Sequence, residues 1–214
     1  MQNRITLSAA VAAALSLGSA IPAYAQWYAG GSVGKSDITF NNAARSDPFL
    51  DLGYTDALTT SSNRDTGYRV FGGYQLHKYI ALEAAYVDLG RFRFRTDVLP
   101  AGSLNASTRI SGFELSALGL LPLSEKFSVF ARVGALAGET KTSYSGNGSV
   151  EVRLGAESQR RSSTQLSYGA GATFAINSRI SLRGEWSKYT KLGNELTGGQ
   201  TDANLYSLGL TYRF

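Results

Sequence analysis

Residues 206–214 read YSLGLTYRF, in which the even positions carry large apolar side chains and the odd positions carry small or polar ones. Consecutive side chains of a β-strand point to opposite sides of the sheet, so this period of two predicts a strand with one apolar and one polar face. The apolar face must contact an apolar medium, which is either a protein core or lipid. The choice between these two media decides the fold.

The same period of two recurs in seven segments upstream of residue 206. Each is about ten residues long, which is the length that a strand tilted by about 45° needs to cross a bilayer. The segments are residues 27–34, 68–76, 80–86, 112–121, 127–137, 166–176 and 180–187. With the last strand they predict an all-β protein, an eight-stranded antiparallel transmembrane β-barrel.

The connections between these segments alternate in length. Short connections are predicted at residues 76–79, 122–126 and 177–179, and long polar loops at residues 36–66, 91–108, 139–164 and 189–203. Short turns on one side and long loops on the other are typical of an outer-membrane barrel whose short turns face the periplasm. Both ends of the barrel domain then lie on the periplasmic side, and residues 144–148 (YSGNG) are expected to form a mobile loop tip.

A soluble β-sandwich or lipocalin-like barrel is the alternative fold. Such a protein buries its apolar faces inward, so its outward face must carry most of the charge. In this sequence the face opposite the apolar residues holds mainly Gly and Ser with a few single charges. That is too little charge for a solvated exterior, and it suits a narrow lumen, so the pattern favours the membrane barrel.

The N-terminus indicates export. Residues 1–25 combine Arg4, an uncharged run rich in Ala and Leu, and a small-x-small site at residues 23–25. This predicts a signal peptide at 1–25 and a barrel domain at 26–214, and the run is short for a membrane anchor of about 20 residues. The chain has no cysteine, so no disulfide is expected. The basic residues behind the net charge of +5 are scattered, which disfavours a nucleic-acid partner.

Several segments resemble the transmembrane domain of outer membrane protein A and its small relatives. The resemblance lies in residues 26–30 (QWYAG), 70–75 (VFGGYQ), 81–90 (ALEAAYVDLG) and the aromatic-x-aromatic end at Tyr212 and Phe214. It implies a location in the bacterial outer membrane and recognition of Tyr212 and Phe214 by the barrel-assembly machinery. Family members often continue into a peptidoglycan-binding domain, an activity that is not carried over to this barrel-only sequence.

The polar faces of the predicted strands contain three acidic and three basic side chains. An eight-stranded barrel is only wide enough for its own side chains, so these charges must pair to avoid a desolvation penalty. Alternation therefore predicts an ion-pair network that fills the lumen and opposes a wide pore. The resemblance places Glu83, Arg183 and Glu185 where the family has such a network. The full set is Arg69, Glu83, Glu114, Arg132, Arg183 and Glu185.

Three functions remain open from the residues. The first is a structural and surface-interaction role, in which the loops contact a host surface, a phage, or an extracellular protein or glycan. The second is a small gated ion-conducting barrel, and the third is an enzyme that modifies lipid A. Acyl hydrolysis usually needs a Ser and His pair, but the one histidine, His77, lies in a predicted periplasmic turn. No catalytic residue and no cofactor are predicted. No metal site is predicted either, because the loop aspartates lack the spacing of a calcium loop.

Five cations lie one or two positions beyond the predicted apolar band, on the lipid-facing parity. Phosphate groups of lipopolysaccharide lie at this height, and charge-assisted contacts to phosphate are strong. Long basic side chains at a membrane edge also snorkel without binding anything specific. The candidate lipopolysaccharide contacts are Lys35, Arg64, Arg109, Lys141 and Lys188. The expected partners are thus outer-membrane lipid and lipopolysaccharide, and the protein is expected to be a monomer.

Overall fold

The computed structural model describes residues 26–38, 56–99, 102–148, 158–192 and 201–214. The predicted signal peptide at residues 1–25 lies outside this part of the chain. The nine strands are β1 (Gln26–Ile38), β2 (Asp56–Ser62), β3 (Arg64–His77), β4 (Ile80–Leu99), β5 (Gly102–Pro122), β6 (Phe127–Gly148), β7 (Ser158–Ala175), β8 (Ile180–Leu192) and β9 (Thr201–Arg213). No helix in the described ranges is both long enough and apolar enough to cross a membrane.

Eight of the nine strands close into an antiparallel barrel. β1 pairs with β3 on one side and with β9 on the other, and the strands from β3 to β9 each pair with the next. β2 lies outside this ring and pairs with the end of β4, from Asp56 opposite Leu99 to Ser62 opposite Arg93. The prediction of an all-β, eight-stranded antiparallel barrel is confirmed.

One end of the barrel, which we call the turn end, carries the three short connections that the sequence predicts. The turns between β3 and β4, β5 and β6, and β7 and β8 are tight, as shown by the bond from Ile176 N to Ile180 O at 2.9 Å. The start of β1 and the end of β9 lie here too, because Phe214 N donates to Trp27 O at 3.0 Å. The opposite end is called the hairpin end.

Two of the predicted long loops at the hairpin end are wrong, and a third, at residues 36–66, contains β2. β4 and β5 run on to Leu99 and from Gly102, so residues 91–108 are mostly strand, and β6 and β7 run to Gly148 and from Ser158. The expected loop tip at residues 144–148 is the last part of β6. Beyond the lipid-facing band the outward residues become polar, and a bulge between Asp88 and Arg91 changes the parity of β4, so that its inward apolar residues pass from Val87 and Leu89 to Phe92. Pattern reading therefore ends the strands too early.

The direction of the side chains is that of a membrane barrel. The large apolar residues of the predicted stripes point outward, with Phe113 and Leu115 each 70% exposed to the surroundings of the protein. Their neighbours in sequence point into the lumen, where Glu114 and Ser116 are buried. The alternation within residues 112–121 thus separates a lipid-facing surface from a protein-filled interior.

Aromatic residues form two outward girdles at the edges of this apolar band. At the turn end, Trp27 packs on Tyr74 with ring centroids 4.8 Å apart, and Tyr212 packs on Phe214 at 5.3 Å. Nearer the hairpin end, edge-to-face pairs join Tyr86 to Phe113 and Tyr168 to Trp186. Such belts suit the two interfaces of a bilayer, where an aromatic ring meets lipid and its polar group meets water.

Candidate functional site

The lumen contains all six charged side chains that alternation predicts to point inward. Four adjacent strands of the barrel wall and the more distant β8 supply them, and each is almost completely buried. Arg69 comes from β3, Glu83 from β4 and Glu114 from β5. β6 and β8 add the remaining members, Arg132, Arg183 and Glu185. We call this set the lumen network.

Glu83 joins the two sides of the lumen network. Its carboxylate lies 2.8 Å from Arg69 Nη2 and 2.5 Å from Arg183 Nη1. Arg69 and Arg183 come from β3 and β8, strands that are not neighbours in the wall. The ion pairs therefore cross the lumen rather than run along one strand.

The other two carboxylates complete a continuous set of contacts. Glu114 binds Arg69 Nε at 3.2 Å and also pairs with Arg132. Glu185 binds Arg132 Nε at 3.0 Å and Arg183 Nη2 at 2.7 Å. Each glutamate therefore contacts two or more arginines, and opposite charges alternate through the interior. Paired charges with hydrogen bonds on most atoms offset the desolvation that a lone buried charge would suffer.

Uncharged side chains, which the sequence did not single out, make further contacts to the lumen network. Tyr28 donates a hydrogen bond from its hydroxyl to Glu83 at 3.0 Å, and Arg132 donates to Ser187 Oγ at 2.8 Å. The guanidinium of Arg183 lies 4.6 Å from the ring centroid of Phe71 and 4.2 Å from that of Phe130. Tyr28, Phe71 and Phe130 are aromatic residues at inward positions, where their strands otherwise carry small or polar side chains. This exception was the signal in the sequence for these contacts.

An apolar layer lies above the lumen network, toward the hairpin end. Its side chains are on the inward parity of the strands and are fully or almost fully buried: Ile38, Leu89, Phe92, Leu136, Leu192 and Leu205. Alternation missed this layer because each strand adds only one or two apolar residues on the inward parity, as Leu136 does between Ala135 and Ala137, and these form no stripe within one strand. Below the lumen network, the turn end holds a small cavity of about 50 Å³ lined by Tyr28, Phe130 and Arg183. Among the described residues, charged and apolar side chains thus fill the interior in two successive layers.

The five predicted lipid-facing cations lie at the hairpin end with outward parity, and four of them have acidic partners that the sequence analysis did not anticipate. Arg64 pairs with Asp37 at 2.9 Å, and Lys188 with Asp202 at 2.9 Å. The other pairs are Arg109 with Asp88 at 2.5 Å and Lys141 with Glu139 at 3.2 Å. No ion pair joins Lys35 to another described residue.

Lys188 lies beyond the apolar band, and its hydrogen bond to the Asp202 carboxylate raises the pKa of the ammonium group. Lys188 therefore stays charged at neutral pH.

The other residues that the sequence singled out lie at the turn end. The His77 ring is exposed and lies 5.4 Å from the Tyr79 ring, in the predicted turn. Tyr212 and the 74%-exposed Phe214 are at the rim of the same end. Among the described residues, no group of three or more His, Asp or Glu side chains is arranged to hold a metal ion.

Comparison with known proteins gives consistent results. The model of the OmpA-like transmembrane domain family matches residues 22–214. Outer membrane protein A of Shigella dysenteriae is 27% identical over 100% of this chain and 55% of its own length, and that of Escherichia fergusonii is 26% identical over the same shares. The chain thus spans about half the length of these curated relatives. The crystal structure of Neisserial surface protein A is similar with a TM-score of 0.55 at 11% identity, covering 88% of this chain and 97% of that one, which shows the fold alone.

Proposed function

Because the chain belongs to the OmpA-like transmembrane domain family and lies in the bacterial outer membrane, we propose that it acts as a structural and surface-interaction barrel. It stands with the turn end in the periplasm and the hairpin end outside the cell. It works by binding: its outward face holds lipid and lipopolysaccharide, and its hairpins meet an extracellular protein, glycan or phage. Residues 1–25 serve as the signal peptide, and the barrel is a monomer.

The filled lumen is the observation that carries this proposal. Six charged side chains neutralise one another across the interior, and buried leucines lie above them. A wide diffusion pore needs an open polar channel, whereas a barrel of this size holds only its own side chains. Binding on the outer surface is then the better-supported role.

The hairpin end supplies a surface for partners. β4, β5 and β6 contain 20, 21 and 22 residues, whereas β1, β8 and β9 contain 13 each. About 9–11 residues cross the hydrocarbon, so the longer strands rise well above it on one side of the barrel. Rigid elements above a membrane are suitable carriers of binding residues.

A truncation tests this surface role. Shortening the β4–β5 and β6–β7 hairpins by equal numbers of paired residues from each strand should abolish adhesion or phage adsorption by cells that carry the protein. The barrel should remain intact, as shown by faster migration of unheated protein on detergent gels. If cells with the truncated protein bind as strongly as wild-type cells, the hairpins are not the binding surface.

A gated ion-conducting barrel is the second candidate, and it requires the lumen network to rearrange. Arg69 Nη1 lies 3.9 Å from a Glu185 carboxylate oxygen and has no hydrogen bond within the described residues. This long contact favours the candidate, because it is a point at which the lumen network could rearrange. The tight pairs of Glu83 and Glu185 on both sides of it oppose a rearrangement.

Catalysis on lipid A is the third candidate. His77 is at the turn end, which places it away from the outer leaflet in the proposed orientation. We therefore propose a role without catalysis. Lipopolysaccharide from cells that overproduce the protein should keep its acyl chains unchanged, and a change that depends on His77 would overturn this part of the proposal.

A further inference from the structure

Three cations lie side by side on the outward face at the hairpin end. Arg91 of β4 is the register partner of Arg109 of β5, and Arg109 is the register partner of Lys141 of β6. Like charges that face each other on adjacent strands are destabilising unless something of opposite charge lies between them. The row is therefore a place where an anion would relieve repulsion.

The acidic residues of the same wall compensate this row only in part. Among the side chains that the structure describes, Asp88 pairs with Arg109 and Glu139 pairs with Lys141, which gives two carboxylates for the three cations of the row. Two other outward lysines of the hairpin end face uncharged residues on their neighbouring strands. Lys35 faces Thr66 and Tyr206, and Lys188 faces Tyr168 and Asn204. An excess of cations arranged strand by strand is therefore a property of this wall.

The wall also has a concave shape beside the row. A cleft of about 510 Å³ is formed by β4, β5, β6 and β7, and we call it the β5–β6–β7 cleft. Its upper part holds Lys141 and Glu139 together with two hydroxyl side chains, Ser111 and Ser162, which are the register partners of Glu139 on either side. The ammonium and hydroxyl groups are donors to phosphate oxygens, whereas the Glu139 carboxylate is held by Lys141. Lys141 is half-exposed, so its ammonium group is accessible from the cleft.

The lower part of the cleft is apolar. Phe113, Ala137 and Tyr86 line it, and Phe113 belongs to the exposed apolar band. Tyr86 packs edge-on against Phe113 with centroids 5.4 Å apart, which closes one side. A ligand that fills the whole cleft thus has an anionic group above and a hydrocarbon chain below.

We propose that the β5–β6–β7 cleft binds a phosphorylated glycolipid of the outer leaflet. The phosphate contacts Lys141 and the hydroxyl groups of Ser111 and Ser162, and an acyl chain follows Phe113 and Ala137 into the membrane. The apolar lower part of the cleft favours this ligand over a free phosphate ion, because the ion has no hydrocarbon chain to bury there. The inference rests on the proposed orientation and lipid contact, and it adds a specific site on one wall.

Thermal unfolding in three kinds of bilayer tests the site. The bilayers are phosphatidylcholine with a phosphorylated lipid A glycolipid, phosphatidylcholine with the same glycolipid after removal of its phosphates, and phosphatidylcholine alone with inorganic phosphate in the buffer. The wild type should show a raised unfolding midpoint in the first bilayer only. Lys141→Gln should lose most of this rise, and Lys141→Arg should retain it.

Two further variants separate a specific site from a diffuse charge effect. Lys126→Gln removes a lysine at the exposed turn end and should keep the full rise. Lys35→Gln removes an outward lysine from the opposite wall and should lose much less of the rise than Lys141→Gln. Equal losses from Lys35→Gln and Lys141→Gln would overturn the cleft while leaving the general lipid contact standing.

The remaining outcomes are also decisive. A wild type that gains nothing from either glycolipid would overturn the proposed lipopolysaccharide contact itself. An equal rise with the phosphate-free glycolipid would show that only the acyl chains bind, which contradicts the phosphate contact. A rise with inorganic phosphate in plain phosphatidylcholine would show a site for a soluble anion and would contradict the glycolipid.

Discussion

Single residues of the lumen network should control the stability of the barrel. Glu83→Ala removes the carboxylate that Arg69 and Arg183 share, leaving two buried guanidinium groups short of a partner. Breaking a buried pair costs about 3–5 kcal/mol, so the free energy of unfolding should fall clearly in urea titrations of the folded protein in detergent. Glu125→Ala, at an exposed turn, should change it by only about 0–1 kcal/mol. Equal effects would contradict the buried network.

The glycines of β3 offer a second test at this scale. A Cβ atom on Gly73 would lie 2.3 Å from the Tyr28 ring inside the lumen, whereas one on Gly72 would have no atom closer than 4.0 Å. Gly73→Ala must displace Tyr28 from Glu83, and overpacking of this kind costs about 1–3 kcal/mol. Gly72→Ala should be nearly neutral in the same urea titration. A neutral Gly73→Ala would mean that Tyr28 does not occupy this position.

The residues that the sequence could and could not predict differ in the kind of contact they make. Arg69 and Glu114 followed from alternation, because neither a bulge nor a register shift interrupts β3 or β5 between the apolar stripe and the charge. Glu139 lies two residues before Lys141 on the same face of β6, so this pair was open to prediction from alternation alone. Asp88 was not predicted as the partner of Arg109, because an ion pair between strands depends on register. A single sequence does not contain the register.

The last strand carries a prediction about assembly. β9 ends at the turn-end rim, and the exposed Phe214 follows it there. If the barrel-assembly machinery binds this aromatic end, deletion of Phe214 should leave export intact but lower insertion into the outer membrane. Fractionation of cells should then show less barrel and more degraded protein in the periplasm. Replacing Arg213 by Ala is a suitable control, because it keeps both aromatic side chains, and normal yield without Phe214 would contradict the proposed role.

The long hairpins provide another element-scale prediction. Residues 93–98 of β4 pair with β2 on one side and with β5 on the other, so their backbone amides are held in a sheet above the membrane. Hydrogen exchange should be much slower in this stretch than in the exposed turn at residues 124–126. Equally fast exchange would favour the loop that the polar sequence suggested. Residues 91–95 read RFRFR, so the period of two that usually reports a strand is still present at the start of this stretch.

At the scale of the whole molecule, the fold followed from the sequence more completely than the interior did. The outward stripes were readable because lipid requires an unbroken apolar surface from every strand, as in the stripe that contains Phe113 and Leu115. The apolar layer of Phe92, Leu136 and Leu205 was not readable, because its position depends on how eight tilted strands bring distant residues to one height. Closure of the barrel is thus what brings the two layers of the lumen together.

Single-channel recording across a planar bilayer tests the filled lumen most directly. The protein should first be shown to be folded by its faster migration on an unheated gel, so that a silent recording reports on the native barrel. Because the lumen network and the apolar layer fill the interior, the wild type should carry no more current than a bilayer without protein. Discrete, repeated conductance steps from the folded wild type would contradict the sealed lumen and would favour the gated ion-conducting barrel.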